Sequence, residues 1–559
     1  MTTAPKKEKK GFFSGILEFW AMHSLIISVI FIILAIIFPI LFNKQYLITV
    51  AINCLMFATL SLSLNLITGY MGITSLGHAA FFGVGAYTAA ILSTRMGLGF
   101  VQTAILGTIV AAIFGVMLGI PTLRIKGRYL AIVTLGFCEI MRIIELNWMS
   151  LTRGPQGISG IPKISFFGFV CSKPIHKYYV VLILLIITVL IIKAIMNSRM
   201  GRAISAIRDD EIAADAMGIN VFKYKIMVFS ISSGLAGLVG AYYAHYMGFI
   251  DPNAFNFDQS ILILSMTIMG GMASIPGSIF GASVLSILPE ALRAVNDYRQ
   301  IVYGLLLAIM VVWKPNGLLG GFNLKHIKQR IELEKEKAAS KTTFFNNITG
   351  VYPPTEGKII FKDENITGKN PYEITSLGMA RTFQNIRLFY RMTVLENVMV
   401  GMHTRTNANL VDCVLRTPKH RTTEKQAEER AMEVLEMTGL LDYRYNYATS
   451  LPYGLQRRLE IARAMATNPE VLLFDEPAAG MNEQETSDLM AFIRRLKDLG
   501  YSILLIEHDM RLVMNICERL YVLDHGNLIA EGLPEDIKAN TRVIEAYLGA
   551  GGVITDEDA

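Results

Sequence analysis

Up to about Trp313 the chain is a succession of long apolar runs, and from Asn323 onward it is charged and mixed. This asymmetry constrains the fold most. Inside a bilayer the backbone finds partners only within a helix or a closed barrel. Continuous apolar runs of about 20 residues, without strict alternation, point to helices. At 559 residues two or three domains are expected. The net charge of +6 is modest and gives no reason to expect a nucleic-acid partner. Basic residues cluster instead beside the apolar runs, as membrane topology requires. Five cysteines (Cys54, Cys138, Cys171, Cys413 and Cys517) are scattered without metal-ligand spacing, so no zinc site or disulfide framework follows.

In chain order, Lys6, Lys7, Lys9 and Lys10 precede the run Leu25 to Phe42, which reads as a first span starting in the cytoplasm. No small-residue cleavage site closes it, and further spans follow. Tyr46 to Ile67 is a second span whose Asn53 and Asn65 should face protein. In Gly69 to Ile91 small residues stand four apart (Ala79 and Gly83, Gly85 and Ala89, Ala86 and Ala90), a pattern that lets helices approach closely. His78 there reads as a packing histidine or a substrate contact. Val101 to Ile120 ends at the basic Arg124 to Arg128, back on the starting side.

Leu130 to Trp148 carries Glu139, Arg142 and Glu145 on one face, either a paired structural network or a contact for a zwitterion. Thr152 to Lys177 should lie outside, and Tyr178 to Met196 returns. Ile226 to Met247 spans again with Gly234, Gly237, Gly240 and Ala244. Between Ile261 and Leu288 the run is broken at Gly270-Gly271 and Pro276-Gly277, which predicts a discontinuous pair. Ile301 to Trp313 completes a set of about 8–10 spans.

Ser198 to Lys225 is too polar for lipid and carries Arg199, Arg202, Arg208, Lys223 and Lys225. Ile204, Ile207, Ile212 and Met217 fit short amphipathic helices able to dock into a groove. Its E-I-A-A-x-x-x-G, with Glu211, Ala213, Ala214 and Gly218, resembles the coupling loop of ABC importer permeases.

In the soluble-looking half, Val471 to Phe474 reads as a strand buried on both faces that delivers Asp475 and Glu476 to its carboxyl end. One acid suits Mg²⁺ and the other suits a water, as phosphate-ester hydrolysis demands. SLPYGLQRRLEIARAM lies upstream (Ser450 to Met465) and ILLIEHD downstream (Ile503 to Asp509). In that order they resemble the signature helix, Walker B strand and switch histidine of ABC-type ATPases. The resemblance implies Glu476, His508 and Gln384 as catalytic residues. Gly454 and Gln456 would belong to the signature, and Asp475, Gln384 and Thr342 would surround Mg²⁺. Lys341, Thr342 and Thr343 resemble the end of a phosphate-binding P-loop. A P-loop needs glycines ahead of its lysine so that successive N–H groups turn inward. Asn323 to Thr349 contains none, and the first strands of such a domain have no counterpart.

Over nearly its whole length the chain is similar to branched-chain amino-acid ABC importers. SLGHAAFFGVGAY, RYLAIVTLGFCEIMR and TRGPQGISGIP resemble the permease; ARTFQNIRLF, LPYGLQRRLEIARA, DEPAAGMN and LLIEHDM resemble the ATPase. The implied fold is an α-helical transmembrane permease (1–322), a charged linker helix (323–340), an α/β P-loop NTPase domain lacking its first strands and P-loop glycines (341–549) and a short tail (550–559). The implied cofactors are ATP and Mg²⁺. The implied partners are a second permease subunit, a second ABC ATPase subunit, an extracytoplasmic substrate-binding protein, a branched-chain amino acid and membrane lipid, in the bacterial plasma membrane. Rival readings are a permease with a non-catalytic docking domain, an importer of urea, amides or other amino acids, and an exporter or lipid-flipping half-transporter.

Overall fold

The structure, a computed structural model, describes residues 24–42, 44–122, 129–166, 169–291, 304, 340–406, 410–524 and 526–543. The expectations for Lys6, Lys7, Lys9 and Lys10, for 124–128, for the 301–313 span apart from residue 304, for the 323–340 linker apart from residue 340 and for the 550–559 tail fall outside these residues. So do the side chains of Lys341, Thr342 and Thr343. The chain divides into two compact units. One holds Met1–Gly69, Thr74–Leu190 and Phe229–Gly321; the other holds Tyr70–Ile73, Ile191–Val228 and Phe322–Ala559.

The first half of the chain is helical: α1 (Ser24–Leu41), α2 (Gln45–Asn65), α3 (His78–Met96), α4 (Phe100–Thr122), α5 (Tyr129–Asn147) and α6 (Pro174–Met196). Two short helices follow, α7 (Arg199–Asp209) and α8 (Glu211–Ala216), and then α9 (Val221–Met247), α10 (Phe257–Gly270) and α11 (Ile275–Ala291). Among the described residues Gln45–Tyr70, Phe100–Pro121, Pro174–Met196 and Val221–Met247 are long and apolar enough to cross a bilayer.

Between apolar helices lipid offers no hydrophobic drive, so close backbone approach must supply the attraction. The small residues do this at one crossing. A Cβ on Gly85 of α3 would stand 2.2 Å from the carbonyl oxygen of Gly237 on α9, and one on Gly237 would stand 2.3 Å from Ala111 of α4. No larger residue fits there. His78 is buried at the start of α3, 2.7 Å from Ser63 Oγ through Nε2, which is a packing role.

The break between α10 and α11 is the predicted discontinuous pair. Gly271 takes φ 117°, and a Cβ on Gly270 would stand 1.9 Å from the Gly277 carbonyl oxygen. Freed backbone groups at membrane depth need partners, and Asn65 of α2 provides them. Its Oδ1 accepts from Ala273 N (2.9 Å), and its Nδ2 donates to Ser274 O (3.2 Å) and Ser278 Oγ (2.8 Å). Asn65 therefore faces protein and is fully buried, while Asn53 is half-buried.

In the second unit α12 (Ser340–Ile348) and α13 (Pro371–Leu377) precede β1 (Met379–Arg381). Then come α14 (Val394–Gly401), α15 (Pro418–Met437), α16 (Tyr453–Ala466), β2 (Val471–Asp475), α17 (Glu483–Asp498), β3 (Ser502–Ile506) and α18 (Met510–Ile516). A hairpin of β4 (Leu520–Asp524) and β5 (Asn527–Gly532) follows. β1, β2 and β3 form a parallel sheet with β2 in the middle; Arg381 lies opposite Leu473, and Asp475 opposite Ile506. β2 is buried on both faces: Leu472 and Phe474 join a core with α14, α15, α16 and α17, and Leu473 joins Phe345, Ile366 and Ile374 on the other side. Among the described residues β1 and β3 are the sheet's edges, and Leu504 of β3 is exposed.

Replacing Asn65 by Ala strands the Ala273 N–H and should cost about 1–2 kcal/mol. The expected outcome is a lower melting temperature of the detergent-solubilised protein. Asn65→Asp, which keeps an acceptor for Ala273 N but loses both Nδ2 bonds and sets a carboxylate oxygen against Ser274 O, should lose more.

Candidate nucleotide and coupling site

At the end of β2, Glu476 bends out of the strand in the left-handed region, with φ 45°, while its N–H donates to Ile506 O (2.8 Å). A glutamate held there stores strain and re-aims its side chain, as functional positions often do. Gln384 Nε2 donates to Glu476 Oε2 (2.8 Å), and His508 Nδ1 lies 3.7 Å from the same oxygen. Three residues singled out from separate motifs thus meet at one carboxylate. Glu507, which the motif reading passed over, joins them: its Oε1 accepts from Ala478 N (2.9 Å), and its Oε2 lies 3.8 Å from His508 Nδ1. The signal for it was an acid closing the apolar run Ser502 to Ile506.

Asp475 is fully buried, and Arg381 Nη2 lies 3.3 Å from its Oδ2. Arg381 Nη1 also donates to Asn346 Oδ1 and Thr349 Oγ1, each at 2.8 Å, and its guanidinium stacks 4.7 Å from the Phe383 ring centroid. Burial pushes the Asp475 carboxyl up to about 6 against the pull of Arg381, and burial pushes the Arg381 guanidinium down to about 10. Asp475 Oδ1 has no hydrogen-bond partner among the described residues. An oxygen of this kind beside Gln384 and Glu476 suits a hard cation such as Mg²⁺. The phosphate cradle is another matter. The backbone is already helical from Ser340, and no glycine stands between Asn323 and Thr349 to form an inward-facing turn. Asp475 offers one carboxylate oxygen of the kind Mg²⁺ takes, though no three His, Cys, Asp or Glu side chains converge on a metal site among the described residues; the helical backbone at 341–343 makes no inward-facing turn.

Gly454 sits in the first turn of α16, where a Cβ would stand 3.1 Å from Glu485 Oε1. Tyr453 Oη donates to Ala479 O (3.0 Å), tying this turn to the loop after β2. Gln456 turns back, its Nε2 donating to Leu451 O (2.8 Å).

The clamp that assembles these parts is a pair the motif reading did not single out. Arg457 and Glu460, one turn apart on α16, are buried and bridge at 2.8 Å. Arg457 donates from Nη1 to Phe383 O (2.7 Å) and from Nη2 to Gln384 O (2.9 Å) and Glu476 O (3.3 Å). Glu460 Oε1 accepts from Phe383 N (3.2 Å) and Arg387 N (3.4 Å). One ion pair therefore fixes the Gln384 loop and the end of β2 to the signature helix. An arginine and a glutamate three residues apart inside an otherwise amphipathic helix were the available signal.

The same loop reaches the Ser198–Lys225 segment, which belongs to this unit. Asp210 caps α8, its Oδ1 accepting from Ala213 N (2.9 Å), and its Oδ2 accepts from Arg387 Nη1 (2.9 Å). Arg391 N donates to Asp209 Oδ2 (3.0 Å). On the other side Glu424 of α15 takes Arg202 in a bidentate pair (2.6 and 2.9 Å) and accepts from Arg199 N (3.1 Å). Arg199 Nε donates to His403 Nδ1 (3.2 Å). Burial first, then Arg199, hold His403 well below its ordinary value, so it is neutral. With Nδ1 accepting, the proton sits on Nε2 and points at Tyr224 Oη (3.2 Å).

Ala213 and Ala214 are fully buried in this contact. Gly218, at φ 81°, packs where a Cβ would fall 1.9 Å from Thr404 Cγ2. Glu211 instead pairs with Lys225 (2.6 Å) within the segment. Asp210, one place earlier, carries the polar contact with Arg387.

Three family models match the chain. The model for the permease component of the branched-chain amino acid transport system covers 46–311, that for ABC transporters covers 337–479, and that for the branched-chain amino acid ATP-binding cassette transporter covers 527–553. The chain is similar to the high-affinity branched-chain amino acid transport ATP-binding protein LivG of Escherichia coli K12, 46% identical over 229 residues, 41% of this chain and 90% of the relative. It is similarly related to the BraF protein of the same description from Pseudomonas aeruginosa, 46% identical over 237 residues, 42% of this chain and 93% of the relative. The other half resembles the permease protein LivM of Salmonella typhimurium, 36% identical over 293 residues, 48% of this chain and 69% of the relative.

Two outcomes test the site. Arg457→Ala leaves Glu460 buried and unpaired, at a cost of about 3–5 kcal/mol, and should appear as a large drop in the unfolding midpoint of the second unit. Burial also raises the Asp215 carboxyl of α8 from 3.8 to about 6, against a hydrogen bond from the Tyr372 backbone and with help from Glu373. A folded-state value above the unfolded one means that docking stability is greatest below pH 4 and falls as pH rises through about 6. Melting temperatures between pH 4 and 7 should show this slope, and Asp215→Asn should flatten it.

Proposed function

The chain belongs to the branched-chain amino acid ABC transporter family, with a permease and an ATP-binding cassette joined in one polypeptide, and from that premise we propose that it drives import of branched-chain amino acids across the bacterial plasma membrane. The observation that carries the reading is the docking of the Ser198–Lys225 segment by Arg387 and Arg391 on one side and Glu424 on the other. A transporter must turn a change at the nucleotide site into force on the permease. Here the route is material and short: Glu476 and Gln384 backbone to Arg457, Arg457 to Glu460, Glu460 to Arg387, and Arg387 to Asp210.

In this mechanism Glu476 orients the attacking water, and Gln384 and His508 read the state of its carboxylate. Asp475, with Gln384, would hold Mg²⁺. Mg²⁺-ATP, when bound at a complete composite site, supplies the phosphoanhydride whose cleavage reopens the paired ATPase subunits. Any shift of the Gln384 loop moves Arg387, and Arg387 pulls on the cap of α8. Coupling is then a difference in affinity between two arrangements of one connected network. A second ATPase subunit with its own glycine-rich turn would meet Gly454 of this chain. A second permease subunit would complete the pathway, and an extracytoplasmic binding protein would deliver the amino acid.

The rival reading, a docking module without its own catalysis, is favoured by one observation, the absence of glycine between Asn323 and Thr349. The two readings combine: this chain's own P-loop site is weak, and its signature serves the partner.

Proteoliposomes holding the chain with its partner subunits should accumulate labelled leucine on addition of ATP and binding protein; no accumulation would refute import. Arg202→Glu and Glu424→Arg should each uncouple ATP hydrolysis from uptake, and the double exchange should recover much of it, since the pair is bidentate. For the isolated chain, nucleotide titration should give a Kd above about 1 mM, and micromolar binding would overturn the weak-site reading.

A further inference from the structure

The charged face of α5 divides into two parts with different fates. Glu139 and Arg142 are partly exposed and bridge each other at 2.9 Å. Glu145 is only 4% exposed, and its Oε2 has no hydrogen-bond partner among the described residues. The hydroxyl of Tyr87, also 4% exposed, has none either. A carboxylate buried with an oxygen that no donor meets is expensive, and such groups mark functional sites.

The surroundings select the ligand. A Cβ on Gly83 of α3 would stand 2.9 Å from Glu145 Oε1 and 3.0 Å from Phe255 Cγ, so glycine there lets the carboxylate and the ring share one patch of helix surface. Tyr87 follows Gly83 by four residues and lies on the same face. The Phe255 ring centroid is 5.1 Å from Phe82, 5.8 Å from Tyr87 and 5.9 Å from Tyr243, all at steep angles. Four aromatic rings and one acceptor-rich carboxylate attract a cation with N–H donors. Apart from the Tyr87 hydroxyl, the named groups offer an anion nothing to bind. Arg142 is engaged by Glu139 and does not pair with the Glu145 oxygen directly.

We propose that Glu145 and Tyr87, walled by Phe82, Tyr243 and Phe255, form the subsite for the primary ammonium group of the transported amino acid. The inference rests on the import reading above and deepens it. The carboxylate and the phenolic oxygen accept from the ammonium, and the rings exclude water around it. Specificity for an amine over a hydroxyl follows, because an α-hydroxy acid brings no positive charge to the carboxylate.

The test measures binding of labelled leucine to the assembled transporter in nanodiscs, competed by unlabelled leucine or by 2-hydroxyisocaproate, alongside ATP-driven uptake by the wild type. The wild type should prefer leucine. Glu145→Gln should weaken leucine about tenfold or more, the effect of losing a charged hydrogen bond, and should erase most of the preference over the hydroxy acid. Tyr87→Phe should weaken leucine by a few-fold and decides the matter if Glu145→Gln fails to assemble. Leucine uptake with no leucine binding, or binding and preference unchanged in either assembled variant, overturns this subsite and leaves the import reading standing. No leucine uptake by the wild type overturns both.

Discussion

Everything at the site around Glu476 depends on one buried ion pair, Arg457 with Glu460. Charges this deep are costly unless every donor and acceptor around them is used. Most are: the guanidinium holds three carbonyls, and the carboxylate holds two N–H groups of the Gln384 loop. A hydrophobic pair in the same place would pack as well, but it would leave Phe383 and Gln384 without fixed positions. The pair converts a loop into a part with defined geometry, and the arrangement of Gln384, His508 and Glu476 follows from it.

The membrane unit uses the same logic with different materials. Its helices approach through glycine at Gly85 and Gly237, and its broken pair survives because Asn65 takes over the backbone bonds that the break releases. Asn65 in that unit has every polar side-chain atom engaged, while among the described residues Glu145 Oε2 and the Tyr87 hydroxyl have no hydrogen-bond partner.

Much of this was legible in the residues. The apolar runs placed helices α1 to α6, and the Gly270–Gly277 interruption announced the discontinuous pair. Val471 to Phe474 read as a doubly buried strand and is one. Glu476, Gln384 and His508 came from three motifs as much as 124 positions apart (508 minus 384) and meet at one carboxylate. Arg457, Glu460, Asp210 and Glu507 were not legible. A charged residue on an amphipathic helix or after a strand looks the same whether it faces water or a buried loop, because periodicity reports the side of an element and not what lies against it.

The linear chain by itself determined the division into an apolar and a charged half, the identity of the elements and the chemistry carried by each motif. Those follow from local rules: the cost of exposing backbone to lipid, the period of a helix, the burial of a strand. Only the tertiary structure decided that Asp210 carries the polar contact with Arg387 while Glu211 pairs with Lys225, that Glu424 answers Arg202 across 222 residues, and that Glu145 Oε2 and the Tyr87 hydroxyl meet no partner among the described residues. The reason is physical. An ion pair or an orphaned carboxylate is defined by distances of about 3 Å between atoms far apart in the chain, and no pattern along the chain encodes which side chains packing will bring that close.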